Sequence, residues 1–258
     1  MAKPPSKPVT RSGIPMPMVS ESRKTGRIPE SQANRPEFAI IARDIRKSYG
    51  DGDKSLEVLK GIDLEIRNGE IVSVVGPSGA GKSTLLHIVG LMEQPSSGHL
   101  SVLGWDAGSI GEKDKDKLRN KYIGFLFQFH YLLPELTLLE NASLPARIQG
   151  MPESEASENA AGLLEAVGLS ERMGHLPSEV SGGEQQRAAL ARAMVNLPAI
   201  LLCDEPTGNL DLERGEEVRD LLWRVARSQH ATVLITTHNP DIARSADRII
   251  KIVDGIVE

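Results

Sequence analysis

The chain has 258 residues, 40% hydrophobic and 25% charged, which fits a folded globular protein and excludes a disordered or fibrous one. The net charge of −5 is unevenly spread, because residues 1–36 hold Lys3, Lys7, Arg11, Arg23, Lys24, Arg27 and Arg35 against only Glu21 and Glu30. The acidic remainder argues against nucleic acid as a partner, and no apolar run approaches the ~20 residues needed to cross a bilayer.

In chain order, residues 1–36 mix proline, serine and basic residues without an apolar period and predict a disordered tail. A solvated extension is the plain reading; contact with anionic lipid is the alternative its charge allows. No secretory apolar core is present, and Cys203, the only cysteine, has no internal disulfide partner, so a reducing cytoplasm is expected. From Glu37 onward, strand-like runs are expected at Phe38–Ala42, Leu56–Leu59, Ile71–Val75, Ser101–Leu103, Ile123–Phe127, Ile200–Cys203, Thr232–Thr236 and Ile249–Val253. Ile71–Val75 and Ile200–Cys203 are apolar on both faces, as central parallel strands covered by helices must be. Helical patterns fall at Leu85–Leu91, at Glu155–Val167 and around Val218, Leu221, Leu222 and Val225. The order predicts an α/β fold in residues 37–258, with a mostly helical insert at about 129–182.

The segment Gly76-Pro77-Ser78-Gly79-Ala80-Gly81-Lys82-Ser83, followed by Thr84, matches GxxxxGKS between a strand and a helical pattern. Glycines let the backbone curl into a nest of N–H groups around phosphates. Lys82 adds a point charge, and Ser83 offers a hydroxyl to Mg²⁺. A nucleotide carrying β- and γ-phosphates, with Mg²⁺, is therefore the expected ligand pair, and the resemblance named below implies that the nucleotide is ATP. Such a site needs a carboxylate from a neighbouring strand, and Ile200–Cys203 delivers Asp204 to the strand end where open α/β sheets bind ligands. Glu205 follows, placed to polarise a water that attacks the γ-phosphate. Cys203 reads as a small buried strand residue.

Ser181-Gly182-Gly183-Glu184-Gln185-Gln186-Arg187 forms a second candidate anion site, since Ser181 can cap a helix beginning near Glu184 and the glycines expose its N–H groups. One nucleotide hardly needs two such termini from one chain. Closure over nucleotide held by another copy is the economical reading, and an ordinary helix start is the alternative.

Taken together, these segments resemble the ATP-binding cassette ATPases that drive ABC transporters, over about 220 residues from near Phe38. The resemblance implies a P-loop NTPase of RecA-like core with an antiparallel β subdomain and a helical subdomain. It also implies a head-to-tail homodimer in which Ser181, Gly182 and Gly183 reach the γ-phosphate in trans. By the same resemblance Tyr49 stacks on adenine, Gln128 reaches Mg²⁺ and the attacking water, and His238 hydrogen-bonds the γ-phosphate. Asp211 would cross the dimer interface, although a helix cap is an equal reading. The run Phe127–Asn141 is unusually apolar for a loop leaving the nucleotide site and reads as a partner surface, with a core segment of the helical insert as the alternative; within it lies Gln128-Phe129-His130-Tyr131-Leu132-Leu133-Pro134-Glu135. It is similar to the branch of the family that releases lipoproteins from the inner membrane, with macrolide-export, cell-division and soluble non-transport members as alternatives. Integral membrane permease subunits, and a peripheral place on the cytoplasmic face of that membrane, are implied.

Overall fold

A computed structural model describes residues 36–50 and 55–258; the expected tail, except Pro36, lies outside the described residues. Two sheets organise the chain. The first has the order β2-β1-β4-β5, built from β1 (Phe38–Tyr49), β2 (Leu56–Arg67), β4 (Ser97–Val102) and β5 (Trp105–Asp106), and every pairing in it is antiparallel. The second has the order β10-β9-β3-β8-β7-β6. It joins β3 (Ile71–Val75), β6 (Ile123–Phe127), β7 (Ile200–Asp204), β8 (Thr232–Thr236) and β9 (Arg248–Val253) in parallel, with β10 (Ile256–Val257) antiparallel at one edge.

The doubly apolar strands sit where their composition demands. β3, β7 and β8 are each flanked on both sides, and their side chains alternate between two cores. Val72, Val74, Ile200, Leu202 and Leu234 join Ile40, Leu59, Leu85 and Ile88 on one face, between the two sheets and α1 (Lys82–Val89). Ile71, Leu201, Cys203, Val233 and Ile235 face the other way, onto the helices α3 (Leu138–Ile148), α4 (Glu153–Ala166), α5 (Gly182–Met194) and α6 (Leu212–Ser228). The stretch 129–182 thus carries α3 and α4 and ends where α5 begins. Among the described residues no helix is long and apolar enough to cross a membrane.

Several elements exceed or escape the expected pattern. β1 runs to Tyr49 because a bulge at Asp44, whose φ is +45°, resets the register between Ala42 and Ile45 instead of ending the strand. α2 (Glu112–Tyr122) has no apolar period to reveal it; it buries only Leu118 and Lys115 and is laced by the ion pairs Lys115–Glu112, Lys117–Asp114 and Arg119–Asp116. The five-residue α7 (Pro240–Arg244) is set by its cap, since the Asn239 side chain accepts from the N–H groups of Asp241 and Ile242. Finally, α1 starts at Lys82, before the apolar run that announces it, so Lys82 and Ser83 fall in its first turn.

Candidate functional site

β3, β7 and β8 end side by side, and their C-terminal ends carry Gly76, Asp204 and Thr236. The loop after β3 needs its glycines for different reasons. At Gly76 a Cβ would lie 2.0 Å from the Ile252 carbonyl oxygen, so two backbones approach too closely for any side chain. At Gly79 a Cβ would meet nothing within 4 Å, and what restricts the residue is its left-handed φ of +79°. Gly81, also left-handed, caps α1 with no side-chain bond, leaving the first N–H groups of the helix directed into the loop.

Lys82, only 7% exposed, donates from Nζ to the carbonyl oxygens of Gly76 (2.9 Å) and Pro77 (3.0 Å) and lies 3.4 Å from His238 Nε2. Beside it, Ser83 Oγ donates to Asp204 Oδ1 at 3.1 Å, and Thr236 Oγ1 donates to the same oxygen at 2.5 Å. Thr236 also receives the Glu205 N–H, through Oγ1 (3.2 Å) and its main-chain oxygen (3.1 Å). Those two bonds hold Glu205 at φ +48°, a strained conformation for a side chain of this size. Its carboxylate meets His238 twice, with Oε1 at 3.0 Å from Nε2 and Oε2 accepting the His238 N–H at 3.3 Å. Lys82, Ser83, Asp204, Glu205 and His238 therefore form one connected network.

The donor set suits Mg²⁺, a hard cation that takes oxygen ligands and keeps much of its own shell. Ser83 and Asp204 supply adjacent hard oxygens, and among the described residues no cluster of three or more His, Cys, Asp or Glu could cage a metal alone. An ion here would lean on phosphate and water, as Mg²⁺ at nucleotide sites does.

Other candidate residues lie apart from this network. The Tyr49 ring is 40% exposed; its hydroxyl donates to Glu93 (2.7 Å), and Lys47 pairs with Glu93 (2.9 Å) while its ammonium lies 5.0 Å from the ring centroid. Burial, reinforced by Glu93, pushes the Tyr49 phenol up, and a bond to Thr84 from the first turn of α1 opposes it. Burial alone would raise Glu93, but Lys47 and Tyr49 hold it low. Gln128 is turned toward the loop after β7, where its Nε2 donates to Asn209 Oδ1 (3.1 Å). Asp211 caps α6, accepting from the Arg214 N–H at 3.0 Å, which realises the cap reading in this chain.

Ser181 caps α5 in a full capping box. Its hydroxyl oxygen accepts from the Glu184 N–H (3.3 Å), and Glu184 takes the Ser181 N–H (2.8 Å) and O–H (2.7 Å). Gly182 and Gly183 are the first two helical residues, whose N–H groups have no acceptor within the helix. Gly182 is exposed, and a Cβ there would meet nothing within 4 Å.

Three polar residues that composition and motif spacing leave unmarked also prove structural to the site. Thr236 ties Asp204 to Glu205, and Asn209 holds Gln128. Gln186, 1% exposed, donates from Nε2 to the carbonyl oxygens of Phe127 (3.2 Å) and Pro206 (2.5 Å), joining the ends of β6 and β7. A polar residue inside the apolar face of α5 is the one sequence sign that could have singled out Gln186. Beyond β6 the apolar segment is pinned: Arg192 donates to the carbonyl oxygens of His130 and Tyr131, and buried Asn141 donates to those of Leu133, Leu136 and Thr137. Phe129, Tyr131 and Leu133 are exposed, whereas Leu132 packs into the second core. Burial pushes the Cys203 thiol up, which keeps it protonated and inert.

Comparison with known proteins agrees with this architecture. A family profile described as ABC transporter matches residues 59–208. The chain is 50% identical over 214 residues to the lipoprotein-releasing system ATP-binding protein LolD of Paramagnetospirillum magneticum, covering 83% of this chain and 95% of that one. It is also 50% identical over 216 residues to the LolD of Bacteroides fragilis, covering 84% and 98%. A solved dimeric structure of MJ0796, a bacterial ABC transporter cassette, superposes with a TM-score of 0.79 at 39% identity over 85% of this chain and 96% of that one. A post-hydrolysis state of the same cassette, bound to ADP and Pi, also gives 0.79.

Proposed function

Because the chain belongs to the ABC transporter family, as an ATP-binding and ATP-hydrolysing subunit, we propose that it powers the release of lipoproteins from the inner membrane. The observation that carries this reading is the 50% identity to lipoprotein-releasing relatives across nearly their whole length. Residues 37–258 form the cassette and 1–36 precede it. In this reading it works on integral permease subunits from the cytoplasmic face, as the family resemblance implies; among the described residues no helix is long and apolar enough to cross a membrane itself. The exposed Phe129, Tyr131 and Leu133 are the surface we assign to that docking.

In the proposed reaction ATP lies across the loop 76–84 with adenine against Tyr49, and the N–H groups of Gly79, Ala80, Gly81 and Lys82 receive its phosphates. Lys82 exchanges its carbonyl partners for phosphate oxygens, a stronger charge-assisted pairing. Ser83, Asp204 and Gln128 would hold Mg²⁺, which when bound neutralises charge on the phosphate oxygens. Glu205 accepts the proton of the attacking water, and His238, already 3.0 Å from it, hydrogen-bonds the γ-phosphate and keeps the base aimed. A second copy completes the pocket with Ser181, Gly182 and Gly183, and its Asp211 loop crosses the interface. Loss of the γ-phosphate removes the bridge between subunits and opens the pair.

The test is reconstitution. Vesicles carrying the co-purifying membrane subunits, this chain and a fluorescent lipoprotein should discharge the lipoprotein when ATP and Mg²⁺ are added. ATP hydrolysis without discharge, or discharge that ignores ATP, would overturn the substrate assignment.

A further inference from the structure

The structure assigns Asn209 as a positioning residue that fixes which end of the Gln128 side-chain amide is free to act at the nucleotide site. The inference rests on the proposed place of Gln128 beside Mg²⁺ and the attacking water, and deepens it.

The argument is one of hydrogen-bond direction. Asn209 meets Gln128 twice, as Nδ2 donates to the Gln128 main-chain oxygen at 3.1 Å and Oδ1 accepts from Gln128 Nε2 at 3.1 Å. A main-chain oxygen only accepts, so Asn209 must offer it the amide nitrogen. Its Oδ1 is then the atom facing the glutamine side chain, which must answer with Nε2. Gln128 Oε1 is left as the end not engaged by Asn209, and an oxygen is the atom that a hard cation or the proton of a water requires. Without Asn209 the two ends of the amide would compete for each orientation, and one of them would present a donor to a cation.

The surroundings enforce the same geometry. Gln186 ties Phe127, just before the glutamine, to Pro206, just before the loop of Asn209. Gly208 donates its N–H to the Glu205 oxygen at 2.9 Å, and a Cβ on Gly208 would stand 2.9 Å from Gln128 Nε2. A side chain at position 208 would thus displace the far end of Gln128, the amide that Asn209 holds in place.

The experiment measures the Mg²⁺ dependence of phosphate release at saturating ATP, and, by calorimetry, ATP affinity with Mg²⁺ and in EDTA. Asn209→Ala should raise the Mg²⁺ concentration for half-maximal rate about tenfold, the low end of what loss of a group supporting a metal ligand costs. It should shrink the affinity gained from Mg²⁺ and leave ATP affinity in EDTA unchanged. Gly208→Ala, which displaces the glutamine without touching Asn209, should reproduce the shift. In a Gln128→Ala background neither substitution should add to it. If Gln128→Ala itself leaves the Mg²⁺ dependence unmoved, the placement of Gln128 in the proposed site fails. If Gln128→Ala moves it but Asn209→Ala and Gly208→Ala do not, or Asn209→Ala still acts without Gln128, the role of Asn209 is overturned alone.

Discussion

The starts of α1 and α5 carry similar glycine-rich sequence but are finished in opposite ways. α1 opens from a left-handed glycine without a side-chain cap, and its first residue, Lys82, is buried and bonded inward to the loop it closes. α5 opens from a serine locked in a capping box, with an exposed glycine next. The first terminus shares a cleft with an ammonium, a hydroxyl, two carboxylates and an imidazole, whereas Ser181 and Glu184 spend their bonds on each other. A helix N-terminus attracts anions in either setting, but only the first is furnished by its own chain to bind one. For the second we propose service to nucleotide held by another copy.

The largest expected effect separates chemistry from both termini. Glu205→Gln should keep ATP bound and lower phosphate release by about 10²- to 10⁴-fold, the usual contribution of a general base, so that ATP-bound dimers accumulate on size exclusion. Near-wild-type turnover would remove Glu205 from that role. The next pair breaks the comparison directly. A Cβ at Gly182 meets nothing within 4 Å, and Gly182→Glu places an acid in the first turn of α5, where it favours the helix. It should leave thermal stability and the ATP affinity of dilute protein intact while abolishing ATP-induced dimers and most turnover. Lys82→Ala should do the reverse at the binding step, weakening ATP at least about tenfold in dilute protein, as the loss of a charge-assisted phosphate contact requires. Equal binding losses in both variants would mean that the two termini serve one pocket within one chain.

The smallest effect concerns the cap itself. The Ser181 N–H and hydroxyl hold the Glu184 carboxyl below its ordinary range, with Arg172 adding to the shift. A carboxylate depressed in the folded state stabilises the fold above its ordinary pKa and loses that contribution as pH falls through the lowered value. Glu184→Gln should therefore lower the melting temperature slightly at pH 7, by an amount that shrinks as pH falls below the ordinary glutamate range. A difference that does not shrink with acid would mean that shape, not charge, sets the cap.

Much of this was legible in residue order. Ile71–Val75 and Ile200–Cys203 announce central strands because burial on both faces demands unbroken apolar runs, and Gly76–Ser83 announces a phosphate loop because few other residues permit such backbone. α2 was hidden because a helix held by surface ion pairs carries no apolar period, and the far half of β1 was hidden because a bulge breaks alternation. Thr236 and Asn209 were illegible as parts of the site, and Gln186 showed only as a polar residue inside an apolar helix face. Each acts on a residue distant in sequence, and their residue types occur everywhere in loops and strands.

Local sequence settled where the backbone can curl, which strands must be buried and which residue types stand ready for phosphate, because these depend on φ, apolar pattern and side-chain chemistry within a few positions. Which of those groups touch was decided only in three dimensions. The bond from Thr236 to Asp204, the contact of Glu205 with His238 and the tie of Asn209 to Gln128 span 32 to 81 residues of chain, and only the order of strands in the sheet brings them within hydrogen-bond reach.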